Sequence, residues 1–396
     1  MKYCVLIMDG AAGSPVSDHG GKTCLELAKT PNLDAMAKQG MLGLARTIPA
    51  GMEPSSSNAC MSVLGYDPDR YRLGRAAIEA KSIGVQVSEG DVLFRCNLGT
   101  VRDGKMTDYS AGHISTEEAR ELIEAVDKAL GGNALKFYPG LAYRHILKVK
   151  GRPDALEAQC TPPHDISGQP IKEFLPRGTG SAFLLDLMKR SEAVLKDHPV
   201  NKARVARGDS PATTIWLFWG SSVASSLPTY KKAYGLKAAA TSAVDVIKGL
   251  AGMMGMELLE IKGVTDNLDN DFAGQASGAL AALDKNDLVI IHIEATDEAG
   301  HVGSVVDKVA AIEKTDAEVA GRIRSWKGGL LRVLIMPDHP TPIPTRTHNA
   351  DPVPFLVWGE GIASNGARRF TEKEASKTGL FLDPAHSIIG RLLVTE

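Results

Sequence analysis

The sequence predicts an α/β protein built on a central, mostly parallel sheet, with a smaller α/β domain inserted into it. Residues 3–8, 288–293 and 331–336 are unbroken apolar runs of strand length, the pattern of strands covered on both faces. Helical patterns at 30–40, 242–253 and 305–324 separate such runs, and alternation of this kind points to parallel pairing. From about 86 to 207 the character changes. Partly alternating strands at 91–98 and 141–149 flank an amphipathic helix over 116–130, and a further helix follows over 181–195. At 396 residues the chain exceeds one ordinary core. The expected division is a principal domain of 1–85 and 208–396, interrupted by a domain of 86–207.

Each element has a local reason. The strand at 3–8 ends in Asp9-Gly10-Ala11-Ala12-Gly13, where small residues let the backbone turn sharply. Thr30-Pro31 opens a helix with a cap position and an N1 proline, and Gly40 closes it. The loop at 49–58 delivers Ser55, Ser56 and Ser57 to the start of a short helix at 59–64. Unpaired N–H groups and the positive end of the helix dipole favour a phosphate there. A serine in that place caps the helix, or serves as a nucleophile once a metal removes its proton. Residues 215–220 resume the parallel-strand pattern. Beyond 331–336, prolines at 337, 340, 342 and 344 exclude helix and ladder pairing, so His348 rides an irregular loop free to fold back over the strand ends.

Composition narrows the partners. A formal net charge of −2 offers no field for nucleic acid or an anionic membrane. No run of about 18 apolar residues occurs, and the first residues lead straight into a strand, so a cytoplasmic protein is expected. The five cysteines are scattered and never form a Cys-x-x-Cys pair, which argues against a disulfide framework and a thiolate zinc site.

Open α/β sheets bind ligands beyond the carboxyl ends of their strands, where Asp9, Asp338 and His339 fall. Asp297 and His301, four apart on a helical turn after 288–293, share one face as a metal pair requires. Carboxylate and imidazole together suit Mn²⁺, Zn²⁺ or Co²⁺ and argue against Ca²⁺. Arg70, Arg72 and Arg75 are suited to bidentate phosphate or carboxylate contacts, or else form a solvated surface. In the insert, His113, Arg144, His164, Asp165 and Arg177 are available to line a cleft. Lys237 stands in apolar surroundings, as a buried cation facing an anion or as a snorkelling surface lysine.

Taken together, Met8-Asp9-Gly10, Thr30-Pro31-Asn32-Leu33-Asp34, the segment 54–68, the segment 295–301, and Asp338-His339 with His348 resemble the cofactor-independent phosphoglycerate mutases. The likeness is to their archaeal-type branch, within the alkaline phosphatase superfamily. It extends over nearly the whole chain, including 21–26, His113-Ile114-Ser115, 197–201 and 351–354. The resemblance implies an alkaline-phosphatase-like three-layer sandwich in which 86–207 serves as a substrate-binding lid that excludes water. It implies two divalent ions, Mn²⁺ foremost, with Zn²⁺, Co²⁺ or Mg²⁺ as alternatives. Asp297, His301 and His348 would hold one; Asp9, Asp338, His339 and the Ser56 oxygen would hold the other. Ser56 would carry the phosphoryl group between 3-phosphoglycerate and 2-phosphoglycerate, an isomerase reaction of glycolysis. Arg72, Arg75, His113, Arg144 and Lys237 would contact substrate.

The chain departs from the family pattern after the nucleophile, where Ser57 and Cys60 replace the usual acidic residue and histidine. Two other readings are a phosphotransferase or phosphohydrolase on another small phosphoester, such as a proposed homoserine kinase, and a non-catalytic metal-binding relative. No P-loop or glycine-rich kinase loop supports use of ATP.

Overall fold

The computed structural model describes residues 1–88, 90–222 and 227–393. It divides into two compact units, Met1–Tyr71 with Leu227–Glu396, and Arg72–Ser226. The first unit begins with β1 (Lys2–Met8) and β2 (Met41–Ala45). The second contains β3 (Asp91–Arg102), β4 (Lys105–Asp108), β5 (Leu135–Tyr138), β6 (Arg144–Lys150) and β7 (Thr214–Ser222). The chain then returns to the first as β8 (Ala238–Thr241), β9 (Glu257–Leu258), β10 (Leu288–Ile293), β11 (Leu331–Met336), β12 (Val353–Gly359) and β13 (Phe381–Leu382).

In the first unit eight strands form one sheet in the order β13-β2-β12-β11-β1-β10-β8-β9. The strands β11, β1, β10, β8 and β9 run parallel, and β12 is antiparallel to both its neighbours. The expected α/β class with a mostly parallel sheet is therefore observed. Every residue of β10 and β11 is buried, which is why these strands read as continuous apolar runs. Cys4, Leu6 and Met8 enter a core with Leu33, Met36, Phe272 and Ile312 from the flanking helices, whereas Val5 and Ile7, equally buried, face the other way. Burying both faces leaves the carboxyl edge of β1, β10 and β11 as the place where polar side chains gather. Among the described residues no helix is long and apolar enough to cross a membrane.

The second unit is an antiparallel sheet in which β3 lies between β6 and β7, covered by the helices Thr116–Leu130 and Ser181–Lys196. It is wider at both ends than the expected 86–207. The helix Arg75–Ser82 packs Ala76, Ala77 and Ala80 against Leu93 and Ile146. The β7 segment pairs with β3 antiparallel and does not resume the parallel sheet. An apolar run records burial but not the identity of its partner strand. The helix expected over 305–324 has a π-helical segment, Thr315–Ala320, in its middle. That segment presents Asp316 to the backbone N–H groups of Asn32 and Leu33 at 3.2 and 2.7 Å, anchoring the helix Pro31–Gln39.

Candidate metal centre

The strands β1, β10 and β11 end side by side, and each releases its polar residues within a few positions. Asp9 follows β1, Glu294 to His301 follow β10, and Asp338 with His339 follow β11. Gly10, at φ 58°, makes the turn after Asp9; a Cβ there would lie 2.2 Å from Asp297 Oδ1 and 2.6 Å from Thr341 Oγ1. The turn can come this close only as glycine.

One group of donors comprises Asp297, His301 and His348. Asp297 Oδ2 lies 3.0 Å from His301 Nε2 and 3.6 Å from His348 Nε2, and the two ring nitrogens are 3.1 Å apart. Donors bound at about 2.1 Å to a tetrahedral ion stand roughly 3.4 Å from one another, so the triangle is of metal-binding size. His301 Nδ1 donates to the Arg346 carbonyl at 3.0 Å, which turns Nε2 into the triangle. The proline-rich loop thus folds back, as its composition requires, and both positions His348 and holds His301.

The second group is built on Asp9, Asp338 and His339, all buried. His339 Nε2 is 3.3 Å from Asp9 Oδ1, 3.4 Å from Asp338 Oδ2 and 3.1 Å from Ser56 Oγ. Backbone N–H groups of Gly10 and His339 donate to Asp338 Oδ1, so its other oxygen is directed inward. The Thr341 hydroxyl donates to Asp297 Oδ1, leaving its oxygen to accept from His339 Nδ1 at 3.3 Å. That network frees His339 Nε2 for a ligand. His339 also stacks on His348, ring centres 3.8 Å apart, which brings the two groups together.

Three adjacent serines present the nucleophile question, and geometry separates them. The helix begins at Ser56, earlier than expected, with Ser55 as its N-cap accepting from the Asn58 N–H. Ser57 Oγ faces Ser55 Oγ at 3.1 Å. Ser56 alone of the three directs its oxygen at His339. Cys60, in the place of the family's histidine, donates its thiol to Asp338 Oδ2 at 3.4 Å. Burial pushes that thiol's pKa well up, so it remains a neutral donor.

The charges at this edge are unbalanced. Among the described residues the ion pairs of Asp9, Asp297 and Asp338 all run to histidines. Burial, reinforced by the charges of Asp338 and Asp297, pushes the Asp9 carboxyl well above its usual range. The Asp9 Oδ1 atom is buried without a hydrogen-bond donor. Burial also raises Asp297, but its bonds to His301 and His348 outweigh that and hold it low; the same bond lifts His301 to about 9. Carboxylates packed together, imidazole nitrogens turned into the cluster and a donorless carboxylate oxygen are what divalent cations satisfy, displacing protons as they bind, so the residues fit such ions.

Lys308 supports the arrangement from below. Fully buried, its ammonium donates to the carbonyls of Gly10, Ala12 and Thr341 at 2.6, 3.1 and 2.7 Å, tying the loop after β1 to the loop after β11. Sequence reasoning missed it, as it missed Thr341, His292 and Glu294. Glu294 stands just past a strand end, the same position that singled out Asp9 and Asp338.

The nominated substrate contacts are placed differently. Arg72, Arg75, His113 and Arg144 all belong to the second unit. Arg75 pairs with Glu79 at 2.9 Å and lies over the Trp219 ring, and Arg144 lies over Tyr143. Lys237 is corrected: it is exposed at the amino end of β8, its N–H bonded to Asp287, one strand length from the carboxyl edge. The short strand after it is buried, and its apolar surroundings in sequence belong to that strand rather than to the lysine.

A family profile described as 2,3-bisphosphoglycerate-independent phosphoglycerate mutase matches residues 37–201. A protein of that name from Methanothrix thermoacetophila is 46% identical over 397 residues, covering 100% of both chains. The chain belongs to the 2,3-bisphosphoglycerate-independent phosphoglycerate mutase family. A relative named a probable such mutase, from Geobacter sulfurreducens, is 42% identical and covers 99% of this chain and 100% of its own. Among solved structures, the cofactor-independent phosphoglycerate mutase of Thermoplasma acidophilum superposes with a TM-score of 0.71 at 25% identity, covering 99% of each chain. A protein from Pyrococcus horikoshii superposes at 0.84 and 27% identity, covering 99% of this chain and 96% of its own.

Proposed function

We infer that this chain interconverts 3-phosphoglycerate and 2-phosphoglycerate, an isomerase reaction, through a phosphoserine formed on Ser56. Family membership favours the mutase over the homoserine alternative. The observation that carries the catalytic assignment is the Ser56 hydroxyl 3.1 Å from His339 Nε2, at the rim of a carboxylate–imidazole cluster. Asp297, His301 and His348 would hold one divalent ion, and Asp9, Asp338, His339 and Ser56 the other; the mixed oxygen and imidazole donors suit Mn²⁺, Zn²⁺ or Co²⁺, and Mn²⁺ is the ion the family resemblance favours. When bound, such ions offset phosphoryl charge and lower the pKa of a hydroxyl held against them.

The chain's own residues do the rest. Ser56 Oγ forms a bond to phosphorus as the ester oxygen of the glycerate leaves, and the proton lost by the serine balances the one gained by the departing oxygen. The other glycerate hydroxyl then takes the phosphoryl group and restores Ser56. The helix N-terminus beneath Ser56 stabilises the phosphate. Asp338 is oriented by two backbone N–H groups and the Cys60 thiol, and His301 and His339 are held in the required tautomer by Arg346 and Thr341. Arg72, Arg75, His113 and Arg144 would supply carboxylate and phosphate contacts.

The test is to strip the purified protein with chelator, reload it with Mn²⁺, and supply 3-phosphoglycerate without bisphosphoglycerate. Formation of 2-phosphoglycerate only after reloading is expected. Activity unaffected by chelation would refute the metal assignment. Phosphohomoserine from homoserine and ATP, with no 2-phosphoglycerate, would replace the mutase by the alternative.

A further inference from the structure

In the second unit, backbone strain and positive charge gather at one half-exposed aromatic group. Tyr109 and Tyr143 meet at 5.7 Å, and His164 stands edge-on to Tyr109, Phe218 and Trp219 at 6.1, 6.1 and 5.6 Å between ring centres. A bulge holds Trp219 in place. Leu93 pairs with Ser221 and Arg95 with Phe218, so Phe94 alone stands against Trp219 and Gly220. A Cβ on Gly220 would lie 2.6 Å from the Phe94 ring, so the glycine of the bulge is needed there, and the left-handed position, φ 48°, falls to the tryptophan. Ala111, His113 and Ala142, each at φ 49°, flank Tyr109 and Tyr143. Non-glycine residues held in this region concentrate at ligand clamps.

Guanidinium groups cover the same rings. Arg75 lies 4.6 Å from the centre of Trp219, Arg144 5.7 Å from that of Tyr143, and the buried Arg95 5.9 Å from that of Phe218. Glu79 pairs with both Arg75 and Arg95, one carboxylate for two cations, and among the described residues Arg144 has no acidic partner. The balance is positive. Stacking occupies the face of a guanidinium and leaves its N–H edge for an anion. Among the described residues the His164 ring makes no hydrogen bond, and Asp165 is 3.7 Å away on the surface. Burial lowers the pKa of His164, and Arg75 and Arg95 lower it further against the pull of Asp165, so a ring nitrogen is free to accept at pH 7.

We propose that His164 is a specificity-determining residue, accepting the 2-hydroxyl of 3-phosphoglycerate while Arg75 takes the carboxylate on the neighbouring carbon. The inference rests on the mutase reading and adds to it the recognition of an α-hydroxy acid. A ring that only fills the aromatic group could be replaced by phenylalanine at no cost to recognition. A hydrogen-bond acceptor could not, because the substrate hydroxyl would then lose its partner.

The test compares 3-phosphoglycerate with 3-phosphooxypropanoate, which differs only in lacking the 2-hydroxyl. KM for the first and the inhibition constant of the second are measured on Mn²⁺-loaded, full-length native protein, His164→Phe and His164→Gln. The native protein is expected to bind the deoxy compound about tenfold more weakly than substrate. His164→Phe should raise KM about tenfold, bind the two compounds alike and keep its manganese content, whereas His164→Gln, which retains an acceptor, should keep part of the preference. A native protein that makes no 2-phosphoglycerate would overturn the mutase reading and this inference together. An active native protein without the preference, or one whose preference survives in His164→Phe, would overturn this inference alone. If His164→Phe does not fold, crystals of the native protein with 3-phosphoglycerate decide. The 2-hydroxyl is expected about 3 Å from a His164 ring nitrogen, and a ligand bound away from His164 would refute the assignment.

Discussion

The two units treat buried charge in opposite ways. In the second, Arg95 pairs with Glu79, Arg204 with Glu118, and Lys148 with Asp91 at 2.9 Å. In the first, among the described residues, the ion pairs of Asp9, Asp297 and Asp338 at the sheet edge run to histidines and to no lysine or arginine, and Lys308 spends its three donors on carbonyls. A charge balanced by a protein partner is structural. One left for an outside cation marks chemistry.

Changing the carrier should have the largest effect. Ser56→Ala is expected to lower mutase turnover at least about a thousandfold with manganese content unchanged, whereas Ser55→Ala should lose only a cap, about 1 kcal/mol, and retain activity. Turnover assays beside metal analysis decide, and a fully active Ser56→Ala would remove the serine from the mechanism. Next in size, Lys308→Met orphans three buried carbonyls and is expected to destabilise the first unit by about 3 kcal/mol. Urea melts would show it, and it should weaken Mn²⁺ binding as well.

Acid and base should also act oppositely on the two units. Burial lowers His145, in the second unit, to about 3. It is neutral when folded and titrates at its ordinary value when unfolded, so its burial costs stability as pH falls from about 6.5 toward 3, on the order of a few kcal/mol at the low end. His301 is raised to about 9 through Asp297. In the metal-free protein its contribution is full below the ordinary histidine value and fades as pH rises through 9, while Mn²⁺ affinity climbs over the same interval because the ion displaces a proton. Melts and Mn²⁺ titrations across pH 4–9 check both signs; Mn²⁺ affinity that is flat with pH would break the contrast.

Smaller effects belong to the periphery. Arg144→Ala is expected to raise KM for 3-phosphoglycerate about tenfold with Mn²⁺ binding unchanged, the mark of a substrate contact outside the metal set. Lys237→Ala, at the far end of β8, should alter neither KM nor turnover. A loss of activity there would contradict the placement.

Much of the centre was legible because its ligands obey a local rule. Asp9 and Asp338 follow apolar strand runs directly, Asp297 and His301 stand one helical turn apart, and prolines force His348 onto a loop; each is a short-range pattern in a single chain. By itself the sequence determined which strands are buried on both faces and which residues leave their ends. Only the tertiary structure decided that β7 pairs with β3, that the second unit starts at Arg72, that Lys237 lies at the wrong end of its strand, and that His292, Glu294 and Lys308 converge on Asp9 and the loop after it. The physical reason is range. Hydrophobic period and turn chemistry act over a few residues, whereas strand partnership, and the company a buried charge must have, are set by contacts hundreds of residues apart.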